Sequence, residues 1–503
     1  MEQPDAVEKS EVVMPLQARE KWYKKITVEP TMFLYMLAFM LTSVIEQAFY
    51  LHKACTVDHN YPSEVCDNLE IHQDIKKEVQ ITVSNFHQWN NVLGHIFPII
   101  LALFLGSWSD RRGRKLPLIL GLVGKFYWSV MIIVNSYKDW PLMTVVYSAT
   151  IPSALTGADV AIFASAFAYI SDVSSVSSRT IRITILDVCY LSTMPTGVAL
   201  GSYLFSNVVN RNFSIMFMIN ASCLLAAIIY SLFFLKWQTT PNQRSLRDVG
   251  YHRVLCDFFD KNHVVDSLKT LLKKREMKRH IYLWIFMVAM ALYTFQRDEK
   301  PMMYLYTQLK FNWNTETYSN FKTFQSSAYV IMMLTGIPLM SKVFGWPDTV
   351  IVMIGATAHA TARLFFGFAE VPWVLYVGGA VSSLGPIVAP VLRSMTSKVV
   401  PLAERGKVFA LLSVFDNAVP LFSGVLYTQV YNASINTHPA GIFWLTLTTQ
   451  ACVFLFTLYI HMSLKGRSLA VTEVTEKKTS LIGNHSNGER SLSEEEDQGC
   501  QNK

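Results

Sequence analysis

The sequence predicts an all-α membrane protein of twelve transmembrane helices arranged as two six-helix halves. Three observations predict it. Apolar runs long enough to cross a bilayer as helix, which takes about 20 residues, recur along almost the whole chain. One long basic loop between Trp237 and His280 divides them six and six. Only 16% of the residues are charged, against about 25% in ordinary soluble domains, as lipid-facing helix surfaces require. Two halves flanking one loop is the plan of secondary transporters that rock about a central site.

In order along the chain, residues 1–27 form a polar cytosolic segment and 28–236 the first half. Residues 237–280 form the basic cytosolic loop, 281–463 the second half and 464–503 a disordered cytosolic tail. The first six spans read as 31–51, 86–106, 116–136, 142–168, 182–206 and 213–236. The second six read as 281–309, 320–340, 349–368, 372–394, 406–430 and 440–463. No cleavable signal precedes span one, whose apolar run serves as its own anchor. Pro98, Pro152, Pro195, Pro301, Pro338, Pro386, Pro390 and Pro420 interrupt spans, which bilayer helices tolerate where neighbours or water satisfy the freed carbonyls. Gly197-xxx-Gly201 in span five lets two backbones approach closely.

The formal charge of +7 does not point to nucleic acid, because the excess basic residues lie in short segments beside the spans. Arg19, Lys21, Lys24 and Lys25 precede the first span; Arg111, Arg112, Arg114 and Lys115 follow the second; Lys273, Lys274, Arg275, Lys278 and Arg279 precede the seventh. Under the positive-inside rule these segments and both termini face the cytosol. The first outer loop, Lys53 to Asn85, is acidic by contrast. Cys55 and Cys66 share that loop, where an oxidising compartment allows them to pair. Asn432-Ala-Ser434 reads as a glycosylation sequon in the last outer loop.

Gly106-Ser-Trp-Ser-Asp110-Arg-Arg-Gly113-Arg114-Lys115, between spans two and three, is the most specific short signal. Its glycines permit a tight turn, and Asp110 can meet a helix N-terminus or an arginine of a neighbouring bundle to latch the inner gate. The bland reading is a solvated basic turn. Spacing and position resemble the signature of the major facilitator superfamily, and imply that fold.

Ionisable residues inside spans are costly and tend to face a water-filled cavity. Glu46 in span one reads equally as an interfacial carboxylate or a cavity group. Lys125 in span three reads as a cavity charge, because a snorkelling lysine has far to reach. Asp159, Asp187 and Asp416 are intramembrane acids, and Arg363, with His359 one turn before it, and Arg393 are intramembrane cations. Arg297-Asp298-Glu299-Lys300-Pro301 follows an apolar stretch. It is either a discontinuous helix opening into water or an outer loop after a span that ends at Phe295. Carboxylates beside cations suit an organic anion moved with protons, Asp187, Asp159 and His359 being the proton carriers and Arg393 and Arg363 carboxylate binders. No nucleophile–base set, metal-ligand spacing or phosphate loop points to an enzyme, a cofactor or a metal.

Gly106–Lys115, Ser171-Asp-Val-Ser-Ser-Val-Ser-Ser-Arg179-Thr-Ile-Arg182, Pro390-Val-Leu-Arg393-Ser-Met-Thr-Ser-Lys398 and Val28-Glu29-Pro30 together resemble solute carrier family 46, the proton-coupled folate transporter and its relatives. The resemblance runs from about Val28 to about Tyr431. It implies that Asp187 stands where the folate transporter has a proton-coupling glutamate. It also implies that Asp110 and Arg114 are the gate pair and that Arg393 serves substrate and proton coupling. Departures bear on the substrate: the span-seven histidine is absent, with Gln296 or Tyr293 near its place. A span-four arginine falls at about Thr150, and the span-four aspartate falls at Ala158, beside Asp159. Cys66 matches one cysteine of an inter-half disulfide whose other position reads about Asn312, so a Cys55–Cys66 bridge would be this chain's substitute.

The expectation is proton-coupled transport of a small organic anion, folate-like or muropeptide-like, by alternating access. The cavity would be lined by Glu46, Lys125, Arg297, Asp298, Glu299, Lys300, Arg363, Arg393 and Asp416, in the plasma or the lysosomal/endosomal membrane. Its partners would be that anion, protons and the lipid bilayer, the chain being a monomer or a weak homo-oligomer. The alternative is a transporter-shaped receptor or scaffold that senses a ligand without flux.

Overall fold

The structure, a computed structural model, describes residues 26–69, 71–174, 179–239, 243, 257–259, 279–400 and 405–464. Nine helices among these are long and apolar enough to cross a membrane, and no strand occurs among them. Three further helical rods lie where the sequence places spans five, seven and eleven: Arg179–Tyr203, Arg279–Thr294 continued by Glu299–Phe311, and Arg405–Ala418 continued by Pro420–Ser434. These three carry Asp187, Arg297 to Lys300 and Asp416, charge that lowers their hydropathy. Outward-facing side chains such as Phe33, Phe39, Leu120, Ile229, Phe233 and Leu455 are exposed, as lipid-facing surfaces are.

Apolar packing shows how the halves sit. Toward the end that carries the Cys55–Cys66 disulfide, one cluster runs through both halves, from Tyr50, Val83 and Phe86 to Trp313, Tyr427, Tyr431 and Phe443. Toward the end that carries Asp110, the core divides. Met32, Tyr35, Leu118, Ile162 and Leu186 form a cluster within the first half. Tyr282, Phe286, Ile351, Leu392 and Leu411 form another within the second. Hydrogen bonds between the halves follow the same division. Lys76 donates to Asn312 (3.0 Å), Gln80 to the Leu305 carbonyl (3.0 Å), Tyr431 to Gln80 (2.9 Å) and Asn432 to Asn85 (2.8 Å), all at the disulfide end. The buried apolar cores of the two halves join at one end and part at the other.

Span two starts earlier than its apolar run. The helix covers Gln73–Arg112, so residues 73–85 of the expected acidic loop belong to it, because Lys76, Gln80 and Ser84 face the second half rather than lipid or water. Span eight likewise begins at Thr315, capped by the Asn314 side chain.

Spans one and five pack through the Gly197/Gly201 pair. A Cβ on Gly201 would stand 2.0 Å from the Leu41 carbonyl oxygen, and one on Gly197 would stand 2.7 Å from Met40 Cβ. Gly201→Ala must therefore push the two helices apart, at a cost of about 1–3 kcal/mol. The expected result is a lower melting temperature in detergent. Gly106→Ala, whose Cβ would meet nothing within 4 Å, should melt with the parent.

Candidate functional site

In the first half, Lys125 of span three and Asp159 of span four form an ion pair at 2.8 Å, and Tyr35 of span one donates a hydrogen bond to the same carboxylate. Gly157, in the left-handed region at φ 84°, starts the helix that carries Asp159. One turn-spacing along span one, Tyr50 donates to Glu46 at 2.6 Å, and Glu46 lies within electrostatic range of Lys125 and Asp159. His95 of span two lies within electrostatic range of that pair and of Arg297.

In the second half, span seven breaks into a 3-10 turn at Phe295–Asp298 and resumes as helix at Glu299. Of the two readings of Arg297–Lys300, the discontinuous helix is the one observed. The break sorts the four charges by side. Asp298 and Glu299 are buried: Ser423 donates to Asp298, Asn91 reaches it at 3.4 Å, and Thr446 donates to Glu299. Arg363 of span nine pairs with Glu299 at 3.1 Å and reaches Gln296 at 3.4 Å. Arg297 and Lys300 point the other way and are exposed. Arg393 of span ten, half-exposed, lies 3.6 Å from Asp416, which also accepts a hydrogen bond from Thr294.

Asp187 differs from every other acid in these spans. It is half-buried, and among the described residues no hydrogen bond or ion pair holds it. Across the parting, Arg393 is within electrostatic range.

At the parted end, Arg114 bonds Asp110 of its own turn and Asp172 of span four at 3.1 Å. Glu29 of span one and Arg182 of span five pair at 3.1 Å nearby. Arg112 makes two bonds to Asp257 of the central loop, at 2.9 and 2.8 Å, and Trp108 adds a third at 2.9 Å. Phe258 and Phe259 lie against Phe104 and Trp108. The Arg112 guanidinium holds the Asp257 carboxyl below the usual carboxylate range. The contribution of this contact is therefore complete above the ordinary carboxylate pKa and is lost as pH falls through Asp257's lower value. Asp257→Asn is expected to raise the rate of protease cleavage within residues 237–280 about tenfold near neutral pH. Lowering the pH should bring the parent toward the variant.

The sequence pattern of the Major Facilitator Superfamily matches residues 30–347, well over half the chain. The chain belongs to the Major Facilitator Superfamily. Its curated relatives are members of solute carrier family 46, the family its motifs resemble. It is 25% identical to the "Probable peptidoglycan muropeptide transporter SLC46" of Drosophila melanogaster, over 85% of this chain and 84% of that one. It is 26% identical to the "Lysosomal proton-coupled steroid conjugate and bile acid symporter SLC46A3" of Gallus gallus, over 82% and 89%. It is 24% identical to the "Proton-coupled folate transporter" of Rattus norvegicus, over 81% and 86%. Among solved structures it is similar in fold to a D-xylose-proton symporter, with TM-score 0.62 and 15% identity over 87% of this chain and 97% of that one. The human organic anion transporter MFSD10 gives TM-score 0.58 and 12% identity over 86% and 97%. The chain is a membrane transporter of the facilitator fold.

Within that fold, several expected placements change. Gly106 lies inside the helix Gln73–Arg112 and makes no turn; Gly113, at φ 108°, turns the chain, and a Cβ there would meet the Trp237 carbonyl oxygen at 2.4 Å. Among the described residues Asp110 bonds Arg114 of its own turn and neither a helix N-terminus nor the other half. Lys115 is buried on the Leu232 and Leu235 carbonyls at 2.7 Å, a helix-end cap rather than a gate charge. His359 is buried against Tyr293 with neither ring nitrogen hydrogen-bonded. Arg363 is spent on Glu299 rather than open to a solute. Asn432 lies on the helix Pro420–Ser434 with its amide nitrogen given to Asn85, a poor setting for glycan attachment.

Tyr35, His95, Lys322 and Asp257 were not singled out by sequence. His95 and Lys322, ionisable residues within predicted spans, carried a signal that could have found them.

Proposed function

We propose that the chain is a proton-coupled symporter of a small organic anion, folate-like or muropeptide-like, that works by alternating access. The carrying observation is Asp187. A carboxylate tied to a fixed cation is held ionised, whereas an unpaired one facing the other half is free to take up and give off a proton as access alternates. The arginine and lysine charges that open onto the parting supply attraction for an anion. Support also comes from the printed names of relatives, which handle muropeptides, folate, and steroid conjugates with bile acids, the last two coupled to protons.

The basic segments support an orientation with the parted end and both termini in the cytosol and the disulfide end in the lumen or outside, in the plasma or the lysosomal membrane. This is an inward-open carrier, with Asp110 and Arg114 closing on the opposite half in the other state. Substrate and protons are its partners; no chemical step is performed on the solute. The test is uptake of labelled folate and labelled muramyl dipeptide at acid and neutral external pH, with the chain at the cell surface. Acid-stimulated uptake of one of them is expected. Saturable binding of either without flux would overturn the proposal in favour of a receptor.

A further inference from the structure

We propose that Arg297, Lys300 and Lys322 form an anion-binding subsite on the second half, which receives the acidic group of the transported solute. The inference rests on reading the chain as an organic-anion carrier. Arg297 and Lys300 stand three residues apart, so they share one side of the break in span seven, while Asp298 and Glu299 turn to the opposite side. Both cations are exposed at membrane depth. Lys322, on span eight, is half-buried and within electrostatic range of Lys300. Its ammonium donates to Gln325 at 2.9 Å, which leaves further donors to point elsewhere.

What sets these three apart is that no carboxylate lies in ion-pair contact with them among the described residues, although Asp298 and Glu299 are within electrostatic range. Among the described residues, Lys125 pairs with Asp159, Arg363 with Glu299, Arg182 with Glu29, and Arg393 with Asp416. Arg297, Lys300 and Lys322 have no ion-pair partner among the described residues. The nearby carboxylates Asp298 and Glu299 are buried on the opposite side of the break, where Ser423, Thr446 and Arg363 hold them, and they remain within electrostatic range of the cations. Arg297 and Lys300 repel each other, as do Lys300 and Lys322, and an oxyanion seated among them relieves that repulsion. The planar guanidinium of Arg297 offers a fork for two oxygens of a carboxylate or sulfate, and the two ammonium groups close the remaining sides. Arg393, by contrast, already has Asp416 beside it. The solute's acid therefore docks on spans seven and eight, and Arg393 is left to face Asp187.

The test uses the purified full-length chain and pyridoxal 5′-phosphate, an anionic aldehyde. Its aldehyde condenses with a lysine amine, losing water to an imine that borohydride reduces to a stable secondary amine, which peptide mass spectrometry locates. Lys300 or Lys322 is expected to react about tenfold or more faster than the exposed Lys310 and Lys342, through local enrichment of the anion. Pyridoxal, without the phosphate, should show no such preference. Arg297→Gln should abolish the preference and Arg297→Lys should keep it, so a folding defect is told apart from a lost charge. Protection by folate or muramyl dipeptide assigns the subsite to carboxylates, and protection by estrone sulfate alone assigns it to sulfates. Equal reaction of Lys300, Lys322 and Lys310, equal preference with pyridoxal, or no protection by any of the three acids overturns the proposal. Phosphate-selective labelling with protection, in a chain that moves none of these solutes, would instead overturn the transport reading and leave the subsite in place.

Discussion

Asp187→Asn is expected to abolish acid-driven accumulation, by about tenfold or more, while solute-for-solute exchange across the same membrane continues. The two readouts separate because asparagine resembles the protonated acid and cannot release a proton. A carrier locked in that form still binds solute and rocks while loaded, which is all that exchange requires. Net uptake needs the empty carrier to return after releasing its proton, and that step has no proton to lose. Asp187→Glu should restore pH-dependent uptake, since the group remains an acid on the same helix. Counterflow and net uptake of whichever labelled solute the parent moves are the measurements. Equal loss of both would show a structural role, and loss of neither would remove Asp187 from the coupling step. Asp159 is the informative comparison, because Lys125 at 2.8 Å and Tyr35 already engage its carboxylate. Asp159→Asn should impair exchange and net uptake together by leaving Lys125 without its counter-charge.

The spans were legible because lipid imposes a composition on the outward face of a helix, and composition is what a sequence shows directly. Where a helix faces protein instead, that signal fades. Gln73 to Asn85 read as an acidic loop because its polar residues are matched by the second half, not by water, and Thr315 to Ser319 was missed as the start of span eight for a similar reason. The ionisable residues were legible as a set, since each is costly at membrane depth, but their pairing was not. Lys125 and Asp159 are separated by a full span and its loop, and nothing in the chain order says that they meet. The run Arg297–Lys300 shows the limit most plainly. Its composition is visible, whereas the sorting of cations to one side and carboxylates to the other depends on a 3-10 turn. His359 was noted for its proximity to Arg363 in sequence, whereas its stacking on Tyr293 required the fold. Asp257 sat in a loop read only as a topology signal, and its role in tying that loop to Arg112 required the fold.

Arg363→Met is expected to cost more folded protein than any other single change at these sites. The Arg363 and Glu299 side chains are only 5% and 6% exposed, joined at 3.1 Å, and linked onward to Gln296 and Thr446. Removing the guanidinium leaves Glu299 as a buried carboxylate without a cation. Breaking a buried pair in this way typically costs about 3–5 kcal/mol, a large share of the ~5–15 kcal/mol that holds a domain together. The expected readout is a steep fall in monodisperse protein on size exclusion and a much lower melting temperature. Glu299→Gln should fall less far, because the amide still accepts from Thr446 and the unpaired arginine keeps Gln296. The double variant Glu299→Gln, Arg363→Met removes both charges and should recover much of the loss, since the desolvation cost of both ions disappears with them. A single Arg363→Met variant that melts with the parent would mean that the pair is hydrated from the parting. In that case the wall behind span seven would be open to water, and the separation of buried carboxylates from cavity-facing cations would fail with it.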